Sequence, residues 1–202
     1  MITPIRLCLL AVLLIAGTLH AAERKPLFRD HAPLKAVLTA PISQAYAQRH
    51  SDVRLYFPGQ WAYIDENGET QRLQVSIRLR GNFRRDYCEL PPLRLNFKKK
   101  EVKGTLFSGQ DKLKLVAPCQ HGIESQQNLL LEYLAYRMYE ILTDRSFGAR
   151  LVRLSYVDSD EKLKSWTDMA FVIEEERDIG KRLELDRARV AENRFDELDQ
   201  PT

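Results

Sequence analysis

Arginines spaced around a glycine turn are the residues of this 202-residue chain best suited to chemistry, and the chemistry is anion capture. Between Gln71 and Lys100, Arg72, Arg78 and Arg80 lead into the turn Arg80-Gly81-Asn82, and Arg94 and Lys98 follow on a second segment. Guanidinium groups offer forked donors to phosphate or carboxylate, and a glycine turn beside them can present backbone amides as well. The same pattern also describes an antiparallel sheet with ordinary solvated charge. Lys114 adds a cation, and two carboxylates stand within possible reach. Glu132 is placed on a helical stretch from which it can meet Lys114 or Arg94 on a neighbouring strand, or simply face solvent. Glu174, opening the run Glu174-Glu175-Glu176, can pair with the basic loop or belong to a solvated turn.

Cys88 and Cys119 remain if the N-terminal segment is removed, and in an oxidising compartment they are expected to join, tying the loop after the glycine turn to the end of a later strand. Two buried free thiols are the alternative. No close cysteine pair exists, and His31, His50 and His121 are scattered, which argues against a zinc site. The run Gly104 to Gln110 has the glycine spacing of a phosphate loop but carries glutamine where lysine is needed, so that reading is rejected. Nucleophile-elbow, His-Glu-x-x-His and Cys-x-x-Cys motifs are missing.

These residues need elements to hold them. Leu73, Val75, Ile77 and Leu79 alternate with the polar series before Gly81, and Leu93, Leu95 and Phe97 alternate with Arg94, Asn96 and Lys98, each a half-buried strand with one cationic face. Asn67-Gly68 predicts a hairpin into the first of them. Val53–Phe57 and Gln60–Ile64 read as strands parted by Pro58-Gly59, and Leu113 and Leu115 mark another. Leu27 to Leu38 reads as a lead-in, followed by a short helix over Ile42–His50. Leu130, Leu134, Met138 and Ile141 predict one long packed helix over Ser125–Leu142, in which Tyr133 and Tyr136 are packing residues. Strands at Ala149–Val157 and Met169–Ile173 precede a charged amphipathic helix at Asp178–Leu198. The expected fold class is α+β, a mostly antiparallel sheet with one long packed helix.

Arg6, the apolar run Leu7–Leu19 and small residues at Ala21 and Ala22 read as a signal peptide over residues 1–22, with a signal anchor as the alternative. Residues 23–202 then form one domain, exported to a periplasm or the outside, with no integral membrane segment after cleavage. Removing Arg6 takes the net charge from +3 to +2, so global charge selects no partner and suggests no nucleic acid. The distribution is uneven: Gln71–Leu115 holds 12 basic and 4 acidic residues, Asp158–Asp199 holds 8 basic and 14 acidic.

The order RLRGN (Arg78–Asn82), PLRLNF (Pro92–Phe97), KLKLV (Lys112–Val116), EYLAYRMYEIL and FVIEE resembles the amino-terminal half of the spore coat protein H (CotH) kinase-like family, over about residues 75–175. That resemblance implies the N-lobe of an atypical protein kinase, ATP and Mg as cofactors, and a protein substrate. By it, Arg80, Gly81 and Asn82 match the family's turn, Arg94 and Phe97 its second strand, Leu134, Ala135 and Tyr136 its helix, and Glu174 its terminal glutamate. Phe83 and Arg84 depart from the serines that follow the family's turn, and Asp168 and Ala170 from the residues before its glutamate. The aspartates that bind metal lie in a later lobe, and Asp186, Asp196 and Asp199 lack the apolar strand context for that role. Two functions follow: a partial kinase-like lobe, inactive alone, or a non-catalytic binding module whose basic face docks an anionic envelope polymer or a protein partner.

Overall fold

A computed structural model describes residues 23–186; the expected signal peptide, residues 187–198 of the last expected helix, Asp196 and Asp199 lie outside them. Seven strands close into a barrel: β1 Leu34–Ala40, β2 Phe57–Ile64, β3 Thr70–Leu79, β4 Leu93–Phe97, β5 Lys112–Val116, β6 Ala149–Asp158 and β7 Trp166–Ile173, in the order β1-β2-β3-β4-β5-β7-β6. Neighbours pair antiparallel except where the ends meet, where β1 runs parallel to β6 from Leu34 opposite Val152 to Ala40 opposite Asp158. Closure leaves no sheet edge. Among the described residues four α-helices lie around it, α1 Ile42–Ala47, α2 Phe83–Tyr87, α3 Ile123–Leu142 and α4 Glu176–Leu183.

The expectation of a kinase N-lobe sheet with one long packed helix is overturned by this closed barrel. The reason lies in β1. Its inward positions are Leu34, Ala36, Leu38 and Ala40, all buried, while Val37 points outward at 37% exposure. Two alanines carry little apolar signal, so the alternation reads as a lead-in, yet this strand supplies both partners that shut the sheet. Nor do Pro58 and Gly59 divide two strands; both lie within β2. A Cβ on Gly59 would stand 2.7 Å from Thr39 O and from Ala40 Cβ, so glycine there lets β2 approach β1.

Period-two burial elsewhere is as the alternation predicts. Leu73, Val75, Ile77 and Leu79 of β3 and Leu93, Leu95 and Phe97 of β4 face the interior with Trp61, Leu113 and Leu154. The loop between β4 and β5 inserts Phe107 among Trp61, Tyr63 and Phe97, with ring centroids 5.1–5.9 Å apart. The glycines read against a phosphate loop, Gly104 and Gly109, turn the chain within this plug.

The long helix is present but packs differently. Leu129 is its buried residue, and Tyr133 and Tyr136 lie against Phe171 on the outside of the barrel, at 5.8 Å each. Leu134, Met138 and Ile141, the expected packing stripe, are 51%, 57% and 78% exposed. The charged last helix stops at Leu183, with Glu184 in the left-handed conformation at φ 54°.

Candidate functional site

Alternation in β3 and β4 turns the polar side chains outward, and register then sets them opposite one another: Arg78 faces Arg94, and Arg94 faces Lys114 across β4 and β5. Like charges directly opposed are unfavourable, and each is relieved differently. Arg78 lies over the Tyr56 ring at 4.9 Å. Arg94 Nη2 donates to Glu175 at 3.1 Å, and Lys114 Nζ to Glu176 at 2.7 Å. The acidic run at the end of β7 therefore folds back onto the basic strands, so the two oppositely charged regions of sequence neutralise each other over much of this face.

Arg80 is the exception. It follows β3 directly, its backbone N–H donates to Pro92 O at 2.9 Å, and among the described residues its guanidinium has no hydrogen bond and no ion pair. Burial, and next the neighbouring Arg94 charge, push its pKa down from the ordinary arginine value, while Glu175 acts in the opposite direction. Because arginine does not lose its proton in proteins, that direction means a cation held where its charge is unfavourable, a condition an anion would relieve.

Around it lies a cleft of about 320 Å³ lined by Arg80, Gly81, Asn82, Arg84, Lys114, Glu132 and Tyr136, with Phe83, Pro92, Val116 and Ile173 completing the wall. Three of the lining side chains are cationic and one is a carboxylate. Glu132 is met by Arg84 Nη1 at 3.5 Å, while Arg84 Nη2 donates to Ala117 O at 2.9 Å. Tyr136 keeps its proton: burial, then Glu132, raise its pKa, with Arg80 opposing, so its hydroxyl is available as a donor. Gly81 adopts φ 85°, where side chains other than glycine are strained, although a Cβ there would meet nothing closer than 3.9 Å. Asn82 Oδ1 accepts from Arg54 at 3.3 Å.

One wall of the cleft is pinned. Cys88 ends α2 and is bonded to Cys119, their Cα atoms 4.7 Å apart, and Leu90 N–H donates to Cys119 O at 3.1 Å. The bridge ties the segment after Gly81 to the end of β5, as the cysteine arithmetic implies.

No family model, curated protein or solved structure matches this chain. The site therefore stands on its own geometry. Of the residues singled out in sequence, Arg80, Gly81, Asn82, Lys114 and Glu132 converge on the cleft. Arg94 lies beside it, engaged by Glu175. Glu174 does not join them: only 2% exposed, it receives Arg182 Nη2 at 3.0 Å and the Gly148 N–H at 3.1 Å, and holds α4 to the barrel. Glu132 finds neither Lys114 nor Arg94 but Arg84, since Glu175 and Glu176 have taken those cations. Arg84 and Tyr136 are the functional residues sequence reasoning passed over, the first as a departure from a motif, the second as packing; it packs on Phe171 and lines the cleft at once. Among the described residues no group of His, Cys, Asp or Glu is arranged to hold a metal ion, and no helix is long and apolar enough to cross a membrane.

Proposed function

We propose that this protein is a non-catalytic binding module that captures an anionic group, phosphate or carboxylate, carried by an envelope polymer or a protein partner in a periplasmic or extracellular space. The observation that carries this reading is the half-buried Arg80 guanidinium, without an ion pair, in a cleft with Arg84, Lys114 and the Tyr136 hydroxyl. Arg80 supplies a fork for two oxygens and Tyr136 a neutral donor, while Lys114, held by Glu176, completes the wall. Nothing in the cleft is arranged as a nucleophile with a base, which favours capture over turnover. The Cys88–Cys119 bridge suits an oxidising compartment. The kinase-like alternative rests on motif order alone, whereas a closed barrel whose acidic run already engages Arg94 and Lys114 leaves ATP phosphates little of the expected basic face.

Titration of the full chain with polyphosphate by calorimetry, at two salt concentrations, tests the reading. Binding that weakens with salt and falls about tenfold or more in Arg80→Ala, the scale of a charge-assisted hydrogen bond, is the expected result. Equal binding by Arg80→Ala and the parent would remove Arg80 from the site. Magnesium-dependent ATP hydrolysis by the parent would replace the binding reading with an enzymatic one.

A further inference from the structure

Helix α3 carries its apolar side outward. Beyond the first turn its charged residues, Glu132, Arg137 and Glu140, turn toward the barrel: Glu132 receives Arg84, and Glu140 receives both Arg137 and Arg24. Every exposed position from Gln127 to Leu142 is uncharged, and Leu130, Leu131, Leu134, Met138, Ile141 and Leu142 form a continuous apolar face, 38–79% exposed. These side chains leave on the order of 700 Å² in the open, more than the largest patch usual on a monomer and close to one partner's share of a standard interface. The barrel interior is filled without them.

The order of residues along this face indicates what covers it. Leu131, Leu134, Met138 and Ile141 recur at intervals of three, four and three, the spacing of a seam that receives another helix. That spacing reads the same in both directions about position 136. An antiparallel copy centred there sets Leu131 of one chain opposite Ile141 of the other, Leu134 opposite Met138, and Leu130 opposite Leu142, so each apolar residue meets another. A two-fold interface has to be self-complementary in this way, and a charge near its axis would meet the same charge on the other copy; this face has none. A different protein as partner would demand no such symmetry. The ends of the helix agree. Glu124, exposed in the first turn, and Arg145, exposed just past the last, form no ion pair among the described residues. Antiparallel packing brings Glu124 of one copy toward Arg145 of the other and opposes the helix dipoles, whereas parallel packing brings like charges together. We propose that α3 is the interface of a two-fold homodimer, its Leu131-to-Ile141 seam packed antiparallel on the same seam of a second copy. The Arg80 cleft is not part of the seam, since Glu132 and Tyr136 line it from the barrel side of α3. A membrane surface is disfavoured, because interfacial helices carry Lys and Arg on the polar face and the one cation within α3, Arg137, is paired with Glu140.

The test uses the full chain. Sedimentation equilibrium is expected to give the mass of two chains, and Leu134→Asp with Met138→Asp, both at exposed positions, should weaken the dimer about 30-fold or more, the scale of one lost hot spot, with far-UV circular dichroism unchanged. In a second arm, chains carrying Leu134→Cys are mixed with chains carrying Met138→Cys, the native cysteines being bonded to each other. Mild oxidation should join the two kinds of chain in preference to either with itself. A parent chain that stays monomeric would overturn the proposal, as would a dimer that the two aspartates leave equally tight, which would place the interface elsewhere. Crosslinks formed mainly between like chains would refute the antiparallel seam. A monomeric parent that binds anionic lipid vesicles, and loses that binding with the aspartates, would assign the face to a membrane instead.

Discussion

Breaking the Cys88–Cys119 bridge should cost both stability and anion affinity, and the two losses can be separated. The bridge closes a loop of 31 residues. In the chain-entropy treatment such a loop lowers the entropy of the unfolded chain by about 12 cal/mol/K, or about 3.7 kcal/mol at 25 °C. For a domain of this size each kcal/mol moves the melting temperature by about 2–4 °C, so Cys88→Ala with Cys119→Ala should melt about 7–15 °C lower. Cys88 is fully buried, and alanine leaves only a small void, so reduced parent protein should melt close to the double variant. Calorimetric melts of parent, reduced parent and variant check this. The functional part follows from position: α2 carries Arg84 and ends at Cys88, so in the folded variant polyphosphate affinity should fall several-fold while Arg80, held by β3 and Pro92, still binds. A melting point within about 3 °C of the parent would refute the loop argument. Unchanged affinity would show that the bridge does not position the cleft.

Three further outcomes concern the scaffold. Asp158, 3% exposed, accepts from Ser43 N and Oγ, Lys162 N and Leu163 N; burial alone would raise its pKa, but these bonds outweigh it and lower it. Its stabilisation is therefore present above the ordinary aspartate pKa and lost as pH falls through the lower folded value, and Asp158→Ala should cost about 2–3 kcal/mol at pH 7, read by denaturant titration. Asp168 behaves oppositely: burial raises its pKa, with His121 opposing, so its ionisation weakens the fold at neutral pH. Asp168→Asn, which can still accept from Gln126, should melt higher at pH 7, with the difference closing as pH falls to the ordinary value of 3.8; a variant less stable at pH 7 would contradict this. Gly59→Ala would set a Cβ 2.7 Å from Thr39 O and should destabilise the β1–β2 seam by about 1–3 kcal/mol, measured by urea unfolding.

How much was legible follows from which residues carry strong patterns. β3 and β4 were readable because large apolar side chains occupy every second position, and that alternation fixed which way Arg78, Arg80 and Arg94 point. Cys88 and Cys119 were readable from their number and compartment. Closure of the barrel was not, because Ala36 and Ala40 stand where Leu or Val would have signalled β1, and because a parallel pairing between the first and sixth strands leaves no local mark. In α3 the periodicity marks the helix and the packing of Tyr133 and Tyr136, but not that Leu134, Met138 and Ile141 face away from the barrel. Two apolar faces compete there, one through Leu129, Tyr133 and Tyr136 and one through Leu134, Met138 and Ile141, and the tyrosines, three residues apart, take the barrel side because Phe171 offers them an aromatic partner.

The distribution of charge explains why the candidate site is a single cleft and not the whole basic face. Stacking Arg78, Arg94 and Lys114 in register across three strands would repel, and the fold answers each cation locally with a ring, Glu175 and Glu176. Those answers come from opposite sides, Tyr56 before β2 and the acidic run after β7. Arg80 follows directly on Leu79, the last residue of β3 paired with β4, where it forms no ion pair with the acidic run among the described residues, and Glu132 on α3 is taken by Arg84. A protein that needed Arg80 only for solubility would leave it extended in water, where its charge is unopposed. Here it is half-buried, its ordinary pKa is depressed by burial and by Arg94, and it lies in a concave wall with a protonated tyrosine. An unfavourable cation kept in place by strand geometry, beside a bridge that holds the opposite wall, is the arrangement expected where the compensating charge arrives on a ligand.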